Sequence, residues 1–196
     1  MREWGAKGRP THADGEDSMN LDQIQSYMRQ EQIDGWLLYD FRGNNAVLAE
    51  LLPGERWTTR RVMMFIPATG EPVVLAHSID LPQFLKLGVK TESYVTWQEF
   101  QGWINRIVTK AKRLAMEYVA GGALPVVSVI DAGTIELIRS MGAEVVSSAD
   151  LIQISAAVWS ADAARVHKQV SSKVNEIKDA AFAHIGSRIS AGRAVT

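Results

Sequence analysis

Three carboxylates, two adjacent arginines and one histidine are the residues of this chain whose types and placement could do chemistry. Asp40 ends one apolar run, Glu117 sits inside another, and Asp131 opens a predicted helix. Carboxylates brought together on adjacent strands can hold two Mg²⁺ ions and activate water. The plainer alternatives are an N-cap for Asp131, in its Asp-Ala-Gly-Thr context, and a simple ion pair for Glu117. Arg60 and Arg61 stand together before an apolar strand. Guanidinium forks grip carboxylates bidentately, so this pair could hold an anionic substrate group or a peptide terminus, or could make surface ion pairs only. His77 closes a strand and is followed by Ser78, Ile79 and Asp80. Strand ends are where α/β proteins place functional groups, although a histidine there can also be structural.

Other chemistry is excluded or unsupported. His12 lies in an N-terminal leader, and His167 and His184 stand 17 positions apart on one predicted helix, too far to share a metal. Neither belongs to a His-Glu-x-x-His pair. The absence of cysteine removes disulfides, thiolate metal sites and thiol catalysis together. Gly121-Gly122 is too short, and without a lysine, for a phosphate loop, and no Gly-x-Ser-x-Gly elbow is present. The residues do not assemble into a self-sufficient active site.

The elements that must position these residues alternate between strand and helix periods. Residues 1–18 carry Gly, Pro and charge without apolar period and read as a flexible leader. Asn20, with Gln23 three residues on, caps a helix carrying Leu21, Ile24 and Met28. Asp34-Gly35 turns into the strand Trp36–Phe41. A hairpin follows, Val62–Pro67 and Pro72–His77, around a turn in which Gly70 supplies positive φ. A short helix is expected over Leu81–Leu87, a strand over Glu92–Thr96, and a helix carrying Trp97, Phe100, Ile104 and Val108. Leu114–Val119 reads as a strand, Asp131 caps a helix through Met141, and Glu144–Ser147 is the last strand. Ser148 is expected to cap a helix bearing Leu151, Ile154 and Val158. One hairpin among helix-separated strands predicts an α/β fold: a mixed sheet with helices on its faces.

Composition bounds the function. Net charge is −1, with 21 basic against 22 acidic residues, which does not suit a surface built to neutralise phosphates, so no nucleic-acid partner is expected. No apolar run reaches the roughly 18–20 residues that span a membrane, and the N-terminus lacks the apolar core of a signal peptide. A cytoplasmic protein with no membrane partner is expected.

The most regular element is the last. Ser160 opens a helix whose Ala163, Val166, Val170, Val174, Ile177, Ala181, Ile185 and Ile189 form one stripe, about 40 Å long at 1.5 Å per residue. A domain of this size cannot cover all of it. The division expected is a leader at 1–18, a domain at 19–159, and at 160–196 a linker helix and the start of a further domain.

Several segments together resemble the N-terminal domain of creatinase/prolidase (M24, Xaa-Pro dipeptidase/aminopeptidase-like) metallopeptidases. They are Asp34–Asn45, Arg60-Arg61, Gly70–His77, Tyr94–Trp97, Met116–Tyr118, Asp131–Ile138, Gly142–Ile152 and, in the exit helix, Asn175–Ala181. The resemblance covers residues 20–196 and implies the creatinase N-terminal fold, which has a ribonuclease H-like motif. It implies a noncatalytic domain that shapes substrate access and dimerisation, with its own C-terminal catalytic domain, a second copy of itself, and a peptide or small-molecule substrate as partners. The family's two divalent metals, Mn, Co or Zn, bind a catalytic domain beyond this chain, so no metal or catalytic residue is expected here. Substrate contacts are expected of Arg60, Arg61 and His77. Two other readings stay open: a stand-alone ligand-binding or self-association module, and a ribonuclease H-like Mg²⁺ nuclease on Asp40, Glu117 and Asp131.

Overall fold

The computed structural model describes residues 19–52, 54, 56–155 and 157–194. The leader expected at 1–18, with His12, lies outside them. The described residues form two compact units, one ending at Ala157 and one beginning at Val158.

The first unit is built on β1, Gly35–Phe41, whose Trp36–Asp40 are all buried. A strand buried on both faces needs apolar residues at odd and even positions alike, which is why this run does not alternate. It pairs antiparallel with β2 (Arg61–Pro67), in a register that sets Gly35 opposite Pro67 and Phe41 opposite Arg61. β2 continues antiparallel into β3 (Val73–His77), through the turn in which Gly70 has φ of 113°. Three parallel pairings complete the sheet: β3 with β4 (Lys90–Tyr94), β1 with β5 (Arg113–Met116), and β5 with β6 (Glu144–Ser147). The order is β4-β3-β2-β1-β5-β6, a mixed six-stranded sheet.

Strand parity sorts the core into two layers. Leu37, Tyr39, Met63 and Phe65 face α3 (Trp97–Lys110) and α4 (Ala132–Ser140), where Trp103, Ile104 and Ile138 are buried. Trp36, Leu38, Val62 and Met64 face α1 (Leu21–Gln30), α2 (Ala46–Leu51) and α5 (Ala149–Ser155). Caps fix the helix starts. The Asn20 side chain accepts from Gln23 N, and Thr96 and Glu99 form a reciprocal capping box on α3.

Four sequence expectations need correction. The helix expected over Leu81–Leu87 is a single 3-10 turn, Leu81–Gln83. Phe84 alone is deeply buried there while Leu85 is 63% exposed, so no continuous helical face is stabilised. The fourth strand ends at Tyr94 because Thr96 is drawn into capping α3. The fifth ends at Met116, whose carbonyl receives both Tyr118 N and Ser148 N, and Glu117 therefore lies just past it. Val158 is outside α5, and the Ser148 hydroxyl turns inward rather than capping. The short helix α2 went unforeseen, although Asn45 caps it by accepting from Val47 N and Leu48 N.

The second unit is the helix α6 (Ala161–Ser190), capped by Ser160, which accepts from Ala163 N at 3.1 Å. The rings of Trp159 and His167 pack with centroids 4.4 Å apart. Val166, Val170, Val174, Ile177 and Ile189 of the stripe are all exposed.

Candidate functional site

Five of the six strands, all but β2, run in one direction, and β2 begins where the others end. Asp40, Glu117, Arg61, His77 and the loop leading to Asp131 therefore share the carboxyl edge of the sheet. Parity then divides them between the two faces.

On the α1/α2/α5 face, Glu117 is wholly buried. Trp36 Nε1 donates to its Oε1 at 2.6 Å, Asn45 Nδ2 to its Oε2 at 2.8 Å, and the Ser148 hydroxyl to Oε1 at 3.3 Å. Burial pushes its carboxyl up to about 7, against the downward pull of those donors. Beside it, Asp40 accepts from Gly43 N at 2.8 Å, Asn45 N at 2.7 Å and the Thr58 hydroxyl at 3.3 Å. Asn45 ties the two together, since its backbone N–H donates to Asp40 and its Nδ2 to Glu117; the Nδ2 also donates to Tyr39 O. Both carboxylates are thus surrounded by N–H and O–H donors, the opposite of what a cation needs. Asp131 is on the other side, where it caps α4 by accepting from Thr134 N and the Thr134 hydroxyl. Among the described residues no group of three acidic, histidine or cysteine side chains could hold a metal. The three-carboxylate metal site is therefore not formed, and the donor set does not fit a two-metal centre.

On the α3/α4 face, a cleft of about 780 Å³ opens at the same edge. Its walls include Tyr39, Phe41, Asn44, Arg61, Trp97 and Thr134. The Arg61 guanidinium carbon lies 5.1 Å from the Trp97 ring centroid and 5.8 Å from that of Phe41. Of the expected contact residues only Arg61 lines this cleft. Arg60 lies just before β2; its backbone N–H donates to Asp80 and its guanidinium to the Thr59 hydroxyl. His77 receives Ile79 N at its Nδ1 at 3.2 Å and sits edge-on to Tyr94. The Tyr94 hydroxyl donates to Arg61 O, and burial raises it to about 12. So His77 reaches Arg61's strand through one intervening ring. Trp36, Asn45 and Ser148 were not legible as partners of Glu117. The available signal was parity: Trp36 pairs with Ala115, two residues from Glu117, which sets both on one face.

No family model and no curated protein matches this sequence. Solved structures do match, over about two thirds of this chain. A creatinase/prolidase N-terminal domain of an Xaa-Pro dipeptidase from Streptococcus pyogenes superposes with a TM-score of 0.52 at 13% identity, over 68% of this chain and 95% of that one. A dipeptidase domain from Streptococcus thermophilus gives 0.53 at 10% identity over the same shares. The fold is that of the creatinase/prolidase N-terminal domain. The prolidase of Pyrococcus horikoshii OT3 superposes with a TM-score of 0.51 at 15% identity over 68% of this chain. The match spans only 33% of that chain. No helix among the described residues is long and apolar enough to cross a membrane.

Proposed function

We propose that this chain is the noncatalytic N-terminal domain of an M24-type metallopeptidase of the Xaa-Pro dipeptidase or aminopeptidase kind. The observation that carries the reading is the creatinase N-terminal fold, found both as isolated dipeptidase domains and as a third of a whole prolidase. The exposed apolar stripe of α6 supports it, because contiguous apolar surface marks an interface. In this reading the stripe serves a catalytic domain, a second copy, or both. Two divalent ions, Mn, Co or Zn, would be held by the catalytic domain and would activate water there; Asp40 and Glu117 of this chain, saturated with donors, take no part. Arg60, Arg61 and His77 are the proposed contacts by which this domain shapes access of a peptide or small-molecule substrate.

The test is a paired assay in Mn²⁺ with an Xaa-Pro dipeptide. One arm is the 196-residue chain, the other the product of its reading frame carried to the stop codon. Proline released only by the second supports an accessory domain. Turnover by the 196-residue chain alone, or a frame that encodes nothing further, overturns it. In the latter case the exposed stripe favours a self-associating module, which sedimentation velocity would show directly.

A further inference from the structure

We propose that the cleft on the α3/α4 face is itself a ligand site, which binds a monocarboxylate carrying an apolar body through the Arg61 guanidinium. The inference does not rest on the peptidase reading, because every group it uses belongs to the first unit.

Topology puts a crevice at this place. β1 and β5 are parallel neighbours, but the chain leaves β1 for α2 on one face and reaches α4 on the other after β5. Connections that diverge to opposite faces leave an opening outside the carboxyl ends of the strands, where open α/β sheets bind ligands. A volume of about 780 Å³ suits a small organic molecule.

The chemistry then selects the ligand. Arg61 has no carboxylate partner within ion-pair distance among the described residues. Its guanidinium lies over the rings of Trp97 and Phe41, and among the described residues no hydrogen bond or ion pair engages its N–H groups, which leaves them for a bidentate acceptor. Two of the carboxylates that line the cleft are engaged elsewhere, Asp40 by backbone and hydroxyl donors and Asp131 by Thr134. The half-exposed rings of Phe41 and Trp97, at 43% and 44%, offer apolar surface for the rest of the molecule. Glu136 lines the same cleft as an exposed carboxylate. Asp40 and Asp131 line the cleft too, so carboxylates outnumber the one arginine there and repel a second negative charge; a single carboxylate is preferred over a dianion or a phosphate monoester.

The probe is N-acetyl-phenylalanine, titrated into the 196-residue chain by NMR and calorimetry, with its neutral amide and phenyl phosphate as comparisons. Saturable binding is expected, with shifts at the Trp97 indole and the Thr134 amide. The amide and the Arg61→Ala variant should each bind about tenfold or more weakly, the size of a lost charge-assisted hydrogen-bond pair. Arg61→Lys should fall between, and Arg139→Ala should bind as the parent does, because Arg139 stacks on Tyr118 and does not line the cleft. Arg61→Gln, which keeps a long polar side chain, guards against a strand that frays in the alanine variant. Equal affinity for acid and amide, tighter binding of phenyl phosphate, undiminished binding by folded Arg61→Ala and Arg61→Gln, or no saturable binding would overturn the site. Proline release by the longer protein bears on the peptidase reading alone, so the two can fail separately.

Discussion

Glu117 shows how a single buried carboxylate can be held ready without being a catalyst. Its carboxyl is raised from an ordinary value of 4.5 to about 7, first by desolvation. Below about 4.5 both folded and unfolded chains carry the proton. Between the two values only the folded chain keeps it, so the folded state binds more protons and stability falls as pH rises. Glu117 thus contributes stability that is fully present at low pH and lost through pH 7. Chemical denaturation of the parent between pH 5 and pH 8 should show that loss, and Glu117→Gln should flatten it. A parent and variant with the same pH slope in this window would refute the assignment. The variant should also be less stable at pH 5, by about 1–3 kcal/mol, the cost of an unsatisfied buried donor. The reason is that Trp36 Nε1 and Asn45 Nδ2 can only donate, so one of them meets the amide NH₂ of glutamine. Asn45 cannot flip to relieve this, because its Oδ1 already accepts from Val47 N and Leu48 N.

At the scale of elements, the close approach of β1 to β2 turns on Gly35. An ideal Cβ there would lie 2.3 Å from Phe65 Cε2, 2.7 Å from Phe65 Cζ and 3.0 Å from the carbonyl oxygen of Ile66. The ring is buried beside Leu37 and Met63 and cannot simply swing into solvent. Gly35→Ala should therefore cost about 1–3 kcal/mol, as overpacked cores do. The double variant Gly35→Ala/Phe65→Leu should recover part of that loss in a double-mutant cycle. Additive losses would place the strain elsewhere. The helix starts are a gentler case: Asp131→Ala should lower stability by about 1 kcal/mol through its two bonds to Thr134. The caps at Asn20 and Asp131 were legible in the sequence, as were the hairpin and the sheet class, because Asn20, Asp131 and Gly70 act through their immediate neighbours. What was not legible needed contacts between distant segments. Met116 ends its strand because of Ser148, 32 residues on, and Asn45 is selected both by α2 and by Glu117. His77 was read from its strand end, but only the register shows that Arg61 shares its edge of the sheet and which face each one meets.

For the whole molecule, the open matter is what covers α6. Val170, Val174 and Ile177 are 53%, 58% and 69% exposed and lie on one stripe. Burying a valine or isoleucine side chain contributes about 1.5–3 kcal/mol, so a covered stripe of this length would be a substantial interface. The double variant Val174→Asp/Ile177→Asp separates the possibilities, because its effect depends on the partner. In the 196-residue chain the thermal midpoint of the first unit should stay unchanged, since neither side chain belongs to its two core clusters. Any concentration-dependent dimer seen by sedimentation velocity should weaken, because two buried carboxylates without partners are costly to desolvate. In the product of the full reading frame the same substitutions should lower both the unfolding midpoint and proline release, if α6 packs on a catalytic domain. Loss of the dimer with turnover intact would instead assign the stripe to a second copy of this chain. A lowered midpoint of the first unit in the short chain would show that α6 is part of that unit's fold, and would overturn the division at Val158.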